Sequence, residues 1–127
     1  THVFLAPTTN TLPYHLFAEG GQLKIRPSSG AANDIIIPYF LPTSGWLQIT
    51  MVYQGNNNLV YINGQHVFTT NSGINLSTTP IGTLAGLTGG TITARNLLDD
   101  VYVFEKSLSS AEVEGLYANG SKAPYLD

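Results

Sequence analysis

The sequence contains no cysteine, which excludes disulfides, thiolate metal sites and cysteine nucleophiles. Charge is scarce: five Lys and Arg stand against eight Asp and Glu in 127 residues, a net of -3. The bases Lys24, Arg26, Arg95, Lys106 and Lys122 are scattered, so no basic patch points to a nucleic-acid partner. No apolar run approaches the ~20 residues that cross a bilayer, so no membrane span is expected. There is neither an initiator Met nor a signal-type segment at Thr1; the expected origin is a processed product or a piece of a longer protein. Helix signals are missing until residue 109, and no repeat or low-complexity linker divides the chain. A single domain over residues 1–127 is expected.

What is present is the composition of an all-β domain: 13 Gly, 7 Tyr and many Thr, Asn and Ser. Residues 3–6 read as a strand ended by Pro7. Residues 14–18 and 22–26 form a hairpin around Glu19-Gly20-Gly21. Residues 34–37 are an apolar strand, and Pro38 and Pro42 bracket residues 39–41 and suggest an edge or an irregular crossing. Residues 46–54 alternate clearly, with Leu47, Ile49, Met51 and Tyr53 on one side. Residues 59–62 pair back after the polar turn at 55–58. Asn63-Gly64 is the strongest hairpin signal in the chain, and residues 65–70 return as the third strand of a meander. Residues 80–84 give a further short strand, and 91–95 lead to the last one. The pattern predicts about nine or ten short antiparallel strands.

Residues 98–113 hold the densest information. Leu98, Asp100, Tyr102 and Phe104 alternate with Asp99, Val101, Val103 and Glu105, predicting a strand over 98–104. Ser109 and Glu112 then form a capping box, with Leu108 and Val113 as a hydrophobic staple. Ala111, Val113, Leu116 and Tyr117 line one helix face, and Gly120 is expected to end the helix.

This run, Leu98-Asp99-Asp100-Val101-Tyr102-Val103-Phe104 followed by Leu108-Ser109, Glu112-Val113 and Leu116-Tyr117, resembles the closing motif of laminin-G-like and pentraxin-like domains of the concanavalin A-like lectin/glucanase superfamily. Residues 46–53, then Val60-Tyr61-Ile62-Asn63-Gly64, and Ile81-Gly82, are similar to the family's central segment, so the likeness spans about residues 16–117. It implies an antiparallel jelly-roll β-sandwich with one short C-terminal helix. In the family, several strands precede the segment at Val3, and one of them lies beside the closing strand. A second chain or another copy of this one is therefore expected to supply them, since an open edge at 98–104 would aggregate. The resemblance also implies a Ca²⁺ near Asp99 and Asp100, completed by oxygens from elsewhere because calcium takes six to eight; a loop-capping role is the plainer reading of Asp100.

For ligand contact the candidates are Asn33, Asp34, Tyr39 and Tyr14. A sugar packs its C–H face on an aromatic ring while Asn and Asp take its hydroxyls. Tyr39 and Tyr14 lie beside Pro and loop residues, whereas Trp46 and Tyr61 read as core or sheet-packing residues. An ordinary Asx turn is the plainer account of Asn33-Asp34. His2, His15 and His66 lack metal spacing, and His15 and His66 are expected half-exposed. Asn75-Leu76-Ser77 and Asn119-Gly120-Ser121 are sequons compatible with secretion. No Glu-x-Asp-x-x-Glu run, nucleophile elbow or phosphate loop is present, so catalysis is not expected. The expected function is a non-catalytic, extracellular, lectin-like module, with a structural or adhesion module as the alternative and the accessory domain of a hydrolase as a third reading.

Overall fold

In a computed structural model, residues 2–7, 13–28, 31–84 and 102–122 are described. Among them are eight strands and one α-helix. The first sheet contains β1 (His2–Ala6), β2 (Tyr14–Glu19), β3 (Gln22–Arg26), β4 (Ile35–Phe40) and β8 (Thr83–Leu84) in the order β4-β3-β2-β1-β8. The second is the meander β5 (Ile49–Gln54), β6 (Asn57–Ile62) and β7 (Gln65–Asn71). Every pairing is antiparallel. A 3-10 turn, Ala31–Asn33, precedes β4, and α1 covers Ser110–Lys122. The expected antiparallel β-sandwich with one terminal helix is what forms.

The hairpins follow their turn residues. Gly20 and Gly21 both have positive φ, and Glu19 pairs with Gln22 across them. Asn63 (φ 49) and Gly64 (φ 79) do the same between β6 and β7, the type I′ pattern that matches strand twist. Gly64 has a second reason to lack a side chain: a Cβ there would lie 3.0 Å from Tyr117 Cβ on the helix.

Between the sheets, Leu16, Ala18, Leu23, Ile25 and Ile37 meet Val60, Ile62 and Ile74. The opposite face of β5–β6 is covered by the helix, where Val52 and Tyr61 pack on Leu108 and Val113. The Tyr61 hydroxyl is 2.9 Å from Ser110 Oγ. The third cluster, Val3, Ala6 and Phe17, lies on the outer face of the five-stranded sheet.

The capping box forms as expected. Glu112 N–H donates to Ser109 Oγ at 3.1 Å, and Ser109 N–H donates to Glu112 Oε1 at 3.0 Å. Lys106 Nζ also reaches Glu112 Oε2 at 2.6 Å. These donors, Lys106 first, hold the Glu112 carboxyl down to about 2. Ser109→Ala, which removes the oxygen that accepts the Glu112 amide, is expected to lower stability by about 1 kcal/mol in urea unfolding, with an unchanged m-value.

Several expectations are corrected. The helix continues through Gly120 to Lys122, because a helical glycine is a cost and not a stop when no left-handed cap follows it. β5 starts at Ile49, not at Trp46. Residues 102–104 belong to no strand, and Tyr102, Val103 and Phe104 are exposed; the rest of the expected closing strand, 98–101, lies outside the described residues. The strand expected over 80–84 contracts to Thr83–Leu84.

Candidate functional site

β4 separates the residues expected to act together. Asp34 sits just before it, at the end that also carries Tyr14 and the 3-10 turn. Arg26 Nε and Nη2 donate to Asp34 Oδ1 and Oδ2 at 2.6 and 2.8 Å, a two-pronged pair whose carboxylate is 6% exposed. The guanidinium lies 4.9 Å from the Phe17 ring centroid and 5.5 Å from that of Tyr14. Tyr14 meets Phe17 edge-on at 5.7 Å. Asp34 is thus committed to pinning the 3-10 turn over an aromatic floor, while Asn33 stays on the surface. Tyr39 is five residues along the strand, about 16 Å away at a strand's rise, and packs inward on the core. The grouping of Tyr39 with Asn33 and Asp34 is not what the fold produces. Asp99 and Asp100 lie outside the described residues, among which no group of three or more His, Asp or Glu could hold a metal.

Beneath the Tyr14 end the interior is polar. The register of β2 against β3 slips between Tyr14 and Phe17, His15 and Leu16 together facing the single residue Ile25. Such a bulge turns both His15 and Leu16 inward, so His15 is fully buried instead of half-exposed. Its Nε2 lies 2.9 Å from the Thr79 carbonyl, which only accepts, so Nε2 carries the proton. Burial pulls the His15 pKa below its ordinary value, against the Thr79 bond that raises it. The ring stands edge-on to Tyr53 at 6.2 Å. Asn58, directly across from Tyr53, bonds Ser72 Oγ through Oδ1. His15 Nδ1, the Tyr53 hydroxyl and Asn58 Nδ2 are buried without a hydrogen-bond partner among the described residues.

At the other end of β4 two large aromatic side chains lie on the surface. Phe40 is 74% exposed and Trp46 68%. Between them the chain reads Leu41-Pro42-Thr43-Ser44-Gly45, without a charge. This connection is held at both ends. Leu41 N–H donates to Gly21 C=O at 2.8 Å, Gln48 N–H to Asn63 Oδ1 at 2.9 Å, and Asn63 N–H to Gln48 C=O at 2.9 Å. Leu47, not Trp46, packs on the core, and the indole is left on the surface. The alternation expected over 46–54 starts the strand at Trp46, three residues before β5 begins, although the Pro-Thr-Ser-Gly cluster at 42–45 signals a connection leading up to it.

A third feature is an open cleft of about 430 Å³ beside the helix, lined by Phe104, Lys106, Leu108, Glu112, Leu116 and Asn119.

Two antiparallel sheets packed face to face, with a capped helix on the outside of the meander, define an antiparallel β-sandwich of concanavalin A-like type. The chain belongs to the Laminin_G_3 family of the concanavalin A-like lectin/glucanases superfamily, which it matches over residues 1–114. No curated protein matches it. Its fold is similar to the 2.1 Å crystal structure of an S-layer domain-containing protein (residues 221–444) from Clostridium thermocellum ATCC 27405, at 22% identity and a TM-score of 0.50. The match covers 91% of this chain and 64% of that one.

Proposed function

We propose that this domain is a non-catalytic, extracellular glycan-binding module whose stacking surface is built from Trp46, with Phe40 six residues earlier at the end of β4. The exposed indole carries this reading. A large aromatic ring held in water by a connection anchored at both ends is costly to leave bare, and it suits the apolar face of a sugar ring. The uncharged stretch 41–48 favours a neutral glycan over an acidic one. Asn33 and Tyr14 form a secondary polar edge, which Asp34 positions through Arg26. Any calcium would be held through Asp99 and Asp100 and would support the loops. Membership of a lectin/glucanase superfamily and the likeness to an S-layer domain-containing protein support an extracellular sugar-binding role.

The test is affinity electrophoresis through gels containing neutral polysaccharides, with calcium and with EDTA. Retardation by at least one neutral polysaccharide is expected. Trp46→Ala should weaken it about tenfold or more, the loss of roughly 1.4 kcal/mol of stacking, and Tyr14→Ala should weaken it less. Unchanged mobility in every gel, with and without calcium, would overturn the proposal.

A further inference from the structure

The turn at residues 75–79 takes no part in the glycan surface, yet it contains Asn75-Leu76-Ser77, an asparagine two residues before a hydroxyl. Its shape follows from short-range bonds. Ile74, just before it, is buried in the core and anchors the start of the turn. The Asn75 carbonyl accepts from Thr78 N–H at 3.1 Å, from Thr79 N–H at 2.8 Å and from Thr78 Oγ1 at 3.1 Å. The far end is fastened by His15, whose Nε2 lies 2.9 Å from the Thr79 carbonyl. The backbone is therefore bent sharply here and held in that shape.

Within the bend the two polar residues of the motif are already joined. Asn75 Oδ1 accepts from Ser77 N–H at 2.9 Å and from Ser77 Oγ at 2.7 Å. The first bond closes an Asx turn. The second sets the hydroxyl against the carboxamide. Both bonds lie on the surface, and Ser77 and Thr78 are exposed. With Oδ1 accepting twice, the carboxamide is fixed in orientation, and Nδ2, which takes part in neither bond, is the end left for chemistry.

The second sequon is built differently. Asn119-Gly120-Ser121 lies within α1, Ser110–Lys122. Helix positions two apart do not face each other, and a helical backbone is not at the same time an Asx turn. An enzyme that must gather an asparagine carboxamide and the hydroxyl two residues on finds the bend ready at 75–77. At 119–121 it has to unwind a helix first.

The place of the turn on the fold keeps a bulky group clear of the indole. Gly73 N–H donates to the Asn56 carbonyl at 3.2 Å, so the segment leading into the turn lies at the β5–β6 hairpin. Trp46 precedes the opposite end of β5, whose length is about 20 Å at a strand's rise. A group carried on Asn75 stands at the end of the meander away from Trp46.

We propose that Asn75 is an N-glycosylation site presented by the fold, and that Asn119 in the folded chain is not. The transfer is a substitution at the anomeric carbon of an oligosaccharide carried on a lipid diphosphate. Asn75 Nδ2 bonds that carbon, and the bond from the carbon to the diphosphate oxygen breaks. The lipid diphosphate leaves with the electron pair, and Nδ2 gives up one proton to a base of the transferase. In the cell the modification rests on the extracellular reading above, because such transferases act on chains that have crossed a membrane. The reaction in vitro tests the site apart from that reading.

The experiment treats the folded, unglycosylated 127-residue chain with a purified oligosaccharyltransferase and its lipid-linked oligosaccharide. Intact mass and peptide mapping read the product, and a synthetic peptide of residues 114–127 is the parallel acceptor. The chain should gain one oligosaccharide, at Asn75, while Asn119 should accept only in the free peptide. Ser77→Ala should abolish the gain, and Ser77→Thr should keep it. No transfer to Asn75, or transfer to Asn119 of the folded chain equal to that at Asn75, would overturn the proposal. The polysaccharide gels use this same unglycosylated chain, so failure of the glycan-binding reading shows there as unretarded protein and is a separate result.

Discussion

Phe17→Ala should lower the stability of the domain by about 3–5 kcal/mol, the cost of deleting a large aromatic from a packed site. In thermal unfolding this is a fall in Tm of roughly 10–20 °C. The prediction is specific because Phe17 is on the outer face of its sheet, where alternation alone would leave it to solvent. It is nevertheless fully buried, between Val3 and Ala6 on one side and the Arg26 guanidinium above. Removing it takes away the floor of the Arg26–Asp34 pair as well as the ring. Phe40, on the outer face of β4, the edge strand two away in the same sheet, but 74% exposed, supplies the contrast: Phe40→Ala should change stability by less than about 0.5 kcal/mol. Equal effects of the two substitutions would mean that the outer face of this sheet is not organised as described.

The second large effect is on pH dependence. The pKa of folded His15 is depressed below the ordinary value of 6.5 by burial. The unfolded chain therefore binds more protons than the folded one between these two values, and stability rises with pH in that window. The full contribution is present above about pH 6.5 and is lost as pH falls from there toward the folded-state pKa. Glu112 acts in a separate window. Its carboxyl, ordinarily near 4.5, is held to about 2, so its contribution is present above 4.5 and is lost between those values. A Tm profile from about pH 7.5 to about pH 5 thus isolates the histidine. The wild-type Tm should fall across that range. His15→Gln keeps an N–H for the Thr79 carbonyl but cannot take up a proton, so its profile should be flatter over the same range. Parallel profiles for the two proteins would remove His15 as the cause.

The parts of the fold legible in the sequence are those encoded by residues close together in the chain. Gly20-Gly21 and Asn63-Gly64 specify their hairpins through backbone conformation. Ser109 and Glu112 specify the helix start through bonds three residues apart. Pro38 marks an edge because proline has no amide for a ladder. What stayed illegible is set between distant segments. His15 is buried by a register slip against β3, and no pattern within residues 14–19 reveals that slip. Asp34 was expected to meet a ligand, yet its partner is Arg26 on the neighbouring strand, and the choice is made by sheet pairing. Tyr39 was grouped with Asp34 by nearness in sequence, but a strand carries residues five apart to opposite ends of the sheet. Trp46 reads in the sequence as a core or sheet-packing residue, although the turn residues before it release the chain from the strand. The likeness to the laminin-G-like closing motif predicted the superfamily from residues that fall partly outside the described ones, and the family match over residues 1–114 bears it out.

Stacking of a neutral glycan on the exposed indole is read directly in the fluorescence of Trp46, the single tryptophan of the chain. Titration with fragments of the polysaccharide that retards the protein should shift its emission to the blue and saturate, with a Kd equal to that measured by electrophoresis. Emission that stays unchanged while the glycan saturates the protein would place the sugar elsewhere and contradict the claim.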